Sequence, residues 1–189
     1  PEDAEVGQII NNDDILSILP LKNMVLFPNV LLPVVVSRPK SLKLAKSAYE
    51  SEQPLAVLCQ KDSGVQDPKP DDLYPLGTAA RVLRTFDLPD GSTTIILEGL
   101  QRIMVKEFTN PRSLKASIFV LPEQMPLLSD KTFIATTSNI KETALKIIKS
   151  LELPQEVSYS LKNIDNPPLL VNYICVNFGL SIPDKQSLL

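Results

Sequence analysis

The sequence predicts an α+β chain: a small, mostly antiparallel β domain with one helix, followed by an α-helical segment. Three observations carry this. Short β-branched runs separated by proline and glycine fill the first two thirds; one stretch inside them, from Ser41, switches to helical spacing; and after Pro122 the apolar residues recur every three or four positions. With 189 residues, 43% hydrophobic and 22% charged, the chain has the composition of an ordinary globular protein.

Residues 1–14 are polar and aperiodic, so they read as a loose leader that orders only when something docks on it. The β domain is then expected over 15–122. Its first stretch, Ile18 to Ser41, holds four prolines in a run of Leu, Val and Ile. Proline cannot donate to a strand ladder, so Pro20, Pro28, Pro33 and Pro39 mark strand ends, edges or corners. Ile15 to Leu21 reads as the first strand, and Val30 to Val36, rich in β-branched residues, as a second and central one. From Ser41, Leu42, Ala45, Ala48 and Tyr49 define an amphipathic helix with Pro39 near its first turn and Lys40, Lys43 and Lys46 on its wet face. Leu55 to Gln60 is a short apolar strand that carries Cys59 into the core.

Lys61 to Pro75 is a long loop whose Asp71-Asp72 pair lacks the further oxygen ligands a hard cation needs. Ala79 to Phe86 and Thr93 to Glu98 flank Leu88-Pro89-Asp90-Gly91, turn chemistry for a hairpin. Gly99 reads as a bulge or corner before Arg102 to Phe108, and Leu114 to Val120 alternates as a last strand. Seven short strands and one helix thus precede Pro122, an arrangement that fits a closed or half-closed barrel.

Pro122 to Pro126 reads as a linker into a helical subdomain over 123–189. Phe133, Thr137, Ile140, Ala144, Ile147 and Leu151 form one apolar seam of a helix of about 22 residues that ends by Pro154. Val157, Leu161 and Ile164 mark a second helix, and Asn166-Pro167 caps a third that stops at Gly179. Ser181 and Asp184 open another helix start just before Leu189. That position, together with a first residue other than Met, is what a piece of a longer protein would show.

Several function classes are disfavoured on composition. A net charge of −3 and a pI near 5.1 provide no basic field for a phosphate backbone. Cys59 and Cys175 both sit in apolar runs and read as buried thiols of a reducing compartment. No run approaches the length of a membrane span. The chain has no His, which removes triads and imidazole metal sites, and no P-loop or GxGxxG glycine pattern. The chain is therefore not expected to be an enzyme, nor to hold a metal or cofactor.

The stretches LPLKNMVLFPNVLLPVVVSRPKS (19–41), QKDSGVQDPKPDDLYPLGTAARVLRTFDLPDGSTTIILEGLQRIMVKEF (60–108) and the closing LSIPDKQSLL resemble the N-terminal domain of ATP-dependent Lon proteases. The resemblance rests on Leu19 to Asn23, the Phe27-Pro28 corner, Gly77 to Arg81, the Leu88 to Gly91 hairpin and Leu97 to Arg102. Ser37-Arg38-Pro39-Lys40 departs from the family's usual Gly-Arg-Glu-Lys, and Asn23 replaces an acidic residue.

The resemblance implies a PUA-like β domain and the start of a helical bundle, forming the substrate-engaging and assembly region of a cytoplasmic, hexameric serine protease. The ATP- and Mg-using AAA+ module and the Ser–Lys dyad would lie outside this chain. The implied partners are unfolded, damaged or regulatory proteins and other subunits. An apolar surface for such clients is expected around Phe27, Val30 and Leu32, with Met125 in the linker as a flexible neighbour. The helix start at Pro39, Lys40 and Lys43 matches family positions linked to substrate handling. The rival readings are a PUA-like RNA-binding module, supported by five arginines in the β half, and a pure oligomerisation module. Thirteen Lys and Arg against fifteen Asp and Glu in residues 1–122, with no interleaved aromatics, weigh against RNA.

Overall fold

The computed structural model describes residues 10–189 apart from 111, 113 and 128. Two compact units emerge, the residues up to Pro122 together with Leu189, and Glu123–Leu188. The first unit contains β1 (Ile15–Leu21), β2 (Leu31–Val36), α1 (Pro39–Ser51), β3 (Leu55–Cys59), β4 (Leu76–Asp87), β5 (Thr93–Asn110) and β6 (Lys115–Val120). The second contains α2 (Lys131–Ser150), α3 (Gln155–Asn163), α4 (Pro167–Asn177) and α5 (Ile182–Leu188).

All six strands form one sheet in the order β2-β5-β4-β3-β1-β6, and β6 also pairs with β5. The pairing therefore runs in a ring through β5, β4, β3, β1 and β6, with β2 attached to β5 from outside it. Only β1 and β3 run parallel; the remaining pairs are antiparallel. Closure needs small residues where the walls come together, and Ala56, Ala79 and Ala116 are each fully buried. Ile18, Leu58, Ile103 and Ile118 fill the space between them.

The seven expected strands are six, because Thr93 to Glu98 and Arg102 to Phe108 belong to one long β5. The bulge is present as expected: the register steps from Ala79 opposite Gln101 to Ala80 opposite Gly99, leaving Leu100 as the extra residue. Val30 to Val36 is not central. β2 pairs with β5 alone, and its proline at position 33 is the kind of residue that edge strands tolerate.

The loose leader is also corrected where the structure describes it. The Asp13 amide donates to the Ile118 carbonyl at 2.8 Å and the Ile118 amide to the Asp14 carbonyl at 3.2 Å, while the Val120 amide donates to Asn12 Oδ1 at 2.7 Å. These bonds extend the β1–β6 ladder, and Ile10 is buried beneath them. Residues 1–9 lie outside the described residues.

Local signals place the turns. The Leu88–Gly91 turn closes with Gly91 at φ 84°, its amide donating to the Leu88 carbonyl at 3.1 Å. Asp90 Oδ1 accepts from the Ser92 amide at 2.9 Å and from its hydroxyl at 2.6 Å. α1 begins at Pro39, whose missing N–H is harmless there. Its buried residues are Ser41, Ala45 and Ala48; Tyr49 of the expected apolar face points outward.

In the helical unit, Asp130 caps α2 by accepting from the Thr132 and Phe133 amides, and Asn166 caps α4 by accepting from the Leu169 amide. The α2 seam differs from its expected line. Ala144 and Ile148 are buried against Leu161 and Leu170, whereas Ile140, Ile147 and Leu151 are exposed. Spacing identified an apolar stripe, but contact with α3 and α4 decides which side of it is covered. Ile140 and Ile147 instead line an open groove of about 370 Å³ with Ile174 and Phe178. Both thiols, Cys59 and Cys175, are buried and form no disulfide.

Candidate functional site

β2 reads LLPVVV, apolar in both phases of its alternation. Leu32, Val34 and Val36 are buried, so Leu31, Pro33 and Val35 must face outward, and Leu31 and Val35 are 56% and 63% exposed. The register places Leu31 opposite Glu98, Pro33 opposite Ile96 and Val35 opposite Thr94 on β5. One strand further, Thr94 lies opposite Phe86 and Ile96 opposite Arg84 on β4. Phe86 is 51% exposed. The outer face of β2, β5 and β4 therefore carries a continuous apolar patch of Leu31, Pro33, Val35, Ile96 and Phe86. An apolar patch of this kind on a sheet surface is a mark of interaction.

The edge of β2 constrains how that surface can be used. Asn29, at φ 59°, donates its amide to the Gly99 carbonyl at 2.9 Å, while the Gly99 amide donates to the Val30 carbonyl at 3.0 Å. These two bonds set the phase of the ladder so that Leu32, Val34 and Val36 turn their backbone groups to β5, and Leu31, Pro33 and Val35 turn theirs to the open edge. Pro33 has no N–H to offer, so the edge lacks a donor at its middle and is blunted against continuous strand addition. Side chains, rather than the backbone, are what this surface presents.

Charges around the patch are mostly paired. Arg81 Nε donates to Glu98 Oε2 at 2.6 Å, and Lys46 Nζ lies 3.0 Å from Asp87 Oδ1. The hydrogen bond from Thr93, and then that from Lys46, hold the Asp87 carboxyl below its ordinary value.

The expected contact residues fall in three places. Phe27, Val30 and Leu32 are core: Phe27 is fully buried and the other two nearly so. They cannot be the exposed surface expected of them, because the Phe-Pro corner turns Phe27 under the sheet and strand phase turns Val30 and Leu32 inward. Pro39, Lys40 and Lys43 are exposed within the first two turns of α1, where Lys40 Nζ meets Asp67 Oδ1 at 2.7 Å. Met125 is exposed in the helical unit. The outward residues of β2 were missed, although a strand that is apolar in both phases and interrupted by proline is itself the signal for an apolar edge.

Behind α1, Arg38 fastens the long loop to the sheet. Its Nη2 donates to the Pro20 carbonyl at 2.6 Å and its Nη1 to Gln60 Oε1 at 2.7 Å, while Gln60 Nε2 donates to the Asp62 and Val65 carbonyls at 3.1 and 3.0 Å. Burial lowers the Arg38 pKa, and Asp67 opposes that shift. Among the described residues, no group of three or more His, Cys, Asp or Glu is placed to hold a metal, and no helix is long and apolar enough to cross a membrane.

The chain thus combines a mostly antiparallel β unit, whose pairings run in a ring and which carries an exposed apolar face, with a small helical unit. A sequence-family model described as the ATP-dependent protease La (LON) substrate-binding domain matches residues 15–189, and the chain belongs to that family. It is 41% identical over 178 residues to the Lon protease of Parabacteroides distasonis, covering 93% of this chain and 22% of that protein. With the Lon protease of Flavobacterium johnsoniae it is 38% identical over 194 residues, covering 100% of this chain and 23% of the relative. The chain thus spans less than a quarter of the length of these relatives.

Two solved structures share the fold. The N-terminal domain of the Mycobacterium avium complex Lon protease superposes with a TM-score of 0.72 at 15% identity, over 92% of this chain and 88% of that one. The Lon N-terminal domain protein of Xanthomonas campestris gives 0.55 at 18% identity, over 82% and 92%.

Proposed function

We propose that this chain is the non-catalytic, substrate-engaging N-terminal region of a cytoplasmic ATP-dependent Lon serine protease. In this reading it holds unfolded, damaged or regulatory proteins for a hexameric ring whose other modules use ATP and Mg and carry the peptidase. Family membership supports the reading at the level of the domain, and the outward apolar phase of β2 carries it at the level of the surface. A client that exposes apolar side chains of many sequences needs a shallow apolar face without a shape-selective pocket. Leu31, Pro33, Val35, Ile96 and Phe86 provide one, and Pro39, Lys40, Lys43 and Met125 are further exposed positions open to such clients.

The test is a pair of outward truncations, Leu31→Ser and Val35→Ser, assayed for binding to a permanently unfolded, carboxymethylated protein. Each removes about 1 kcal/mol of apolar burial in the complex and should raise Kd about fivefold. Melting temperature should hold, because both side chains are exposed in the free chain. Unchanged affinity in the double variant would remove this face from the proposal.

A further inference from the structure

We propose that Arg84 makes the outer face of β2, β5 and β4 select apolar client segments that carry an acidic residue beside the apolar run. The inference rests on the docking reading above and gives it a substrate class: extended polypeptide in which Asp or Glu flanks Leu, Val or Phe.

The first observation is one of strand phase. Val82 points inward and is buried, so regular alternation would turn Arg84 inward as well. The register instead steps from Val82 opposite Leu97 to Arg84 opposite Ile96. Leu83 is the extra residue, and this bulge re-aims Arg84 onto the outer face, in line with Ile96 and Pro33. From there the alternation resumes and brings Phe86 out beside it.

The second observation is electrostatic. Arg81 is neutralised by Glu98 and Lys46 by Asp87. Arg84 is exposed, and among the described residues neither an ion pair nor a hydrogen bond engages its guanidinium. The face thus presents an apolar floor with one unspent positive charge. An acidic side chain next to a docked apolar run complements it, and a lysine there is repelled. The net charge of the chain is −3, so its long-range field favours basic peptides. A preference for acidic ones would have to arise locally.

Two fluorescein-labelled peptides test this on the 189-residue chain, identical in a Leu/Val/Phe-rich run and differing only in glutamate or lysine flanks. The glutamate peptide should bind about threefold tighter or better at low ionic strength, with the gap closing at high salt, as the worth of exposed ion pairs implies. Arg84→Gln should abolish the preference and Arg84→Glu reverse it, while Lys146→Gln in the helical unit leaves it intact. Equal binding of the two peptides to the wild-type chain overturns the inference, as does a preference that survives Arg84→Gln. If neither peptide binds, the docking reading itself fails and takes this one with it.

Discussion

Gly99 stands where the chain crosses over the Phe27-Pro28 corner. A Cβ there would lie 2.1 Å from the Phe27 carbonyl oxygen and 3.2 Å from the Pro28 Cα, distances that only backbone movement relieves. The same residue exchanges two hydrogen bonds with Asn29 and Val30, so moving it would also shift β2. Gly99→Ala should therefore destabilise the β unit by about 1–3 kcal/mol, the range of overpacked sites, read as a lower midpoint in urea. An unchanged midpoint would mean that the corner is pliant. Thr78, fully buried, ties the same region from beneath by donating its hydroxyl to the Leu26 carbonyl at 2.6 Å.

Among the elements, the β4–β5 hairpin combines the most local determinants. Pro89 and Gly91 satisfy the turn, and Asp90 binds it through Ser92. The Ser92 hydroxyl, and then the Ser92 amide, hold the Asp90 carboxyl below its ordinary value. A folded-state pKa below the unfolded one contributes stability above the unfolded value, about 3.9 for Asp, and that contribution is lost as pH falls through the folded pKa. Asp90→Asn should accordingly melt below the wild type at pH 7, and the two should converge as pH drops below about 4. A gap that stays constant from pH 7 to pH 3 would exclude the linkage. β2 illustrates the opposite balance: its propensity is strong, its local sequence would suit a buried strand, and its position at the edge comes entirely from its partner.

At the scale of the whole molecule, the two units differ in how much they bury. All five residues of β3 are buried, and the ring of pairings around them satisfies both sides of most strands. In the helical unit the buried cluster is Ala144, Ile148, Leu161 and Leu170, and the first half of α2 has no buried residue. Local opening follows contact density. Amides of β3 should therefore exchange with solvent more slowly than those of residues 135–139, on the order of a hundredfold, which corresponds to about 3 kcal/mol of extra opening free energy. Comparable exchange in the two segments would show the ring to be less cooperative than its pairing implies.

Local chemistry was enough to find most of the elements. Pro39 starting α1, Asn166 capping α4 and Leu88 to Gly91 closing the hairpin are legible, since each depends on bonds within a few residues; Gly99 is legible as a glycine interrupting a strand pattern, although its contacts are with Phe27, Asn29 and Val30 far away in the sequence. Family motifs carried the reading from fold to domain. Contacts distant in the sequence decided the rest. Phe27, Val30 and Leu32 are as apolar as Leu31 and Val35, and no local rule separates them; the pairing of β2 with β5 does. A single inserted residue, Leu83, turns Arg84 from an inward to an outward position, and the packing of α3 and α4 selects Ile148 over Ile147 as the covered face of α2. Composition and spacing specify which residues can be buried. Which of them are, and hence what surface remains for a partner, is settled only when strand register and helix contacts distribute a surplus of apolar side chains between two faces.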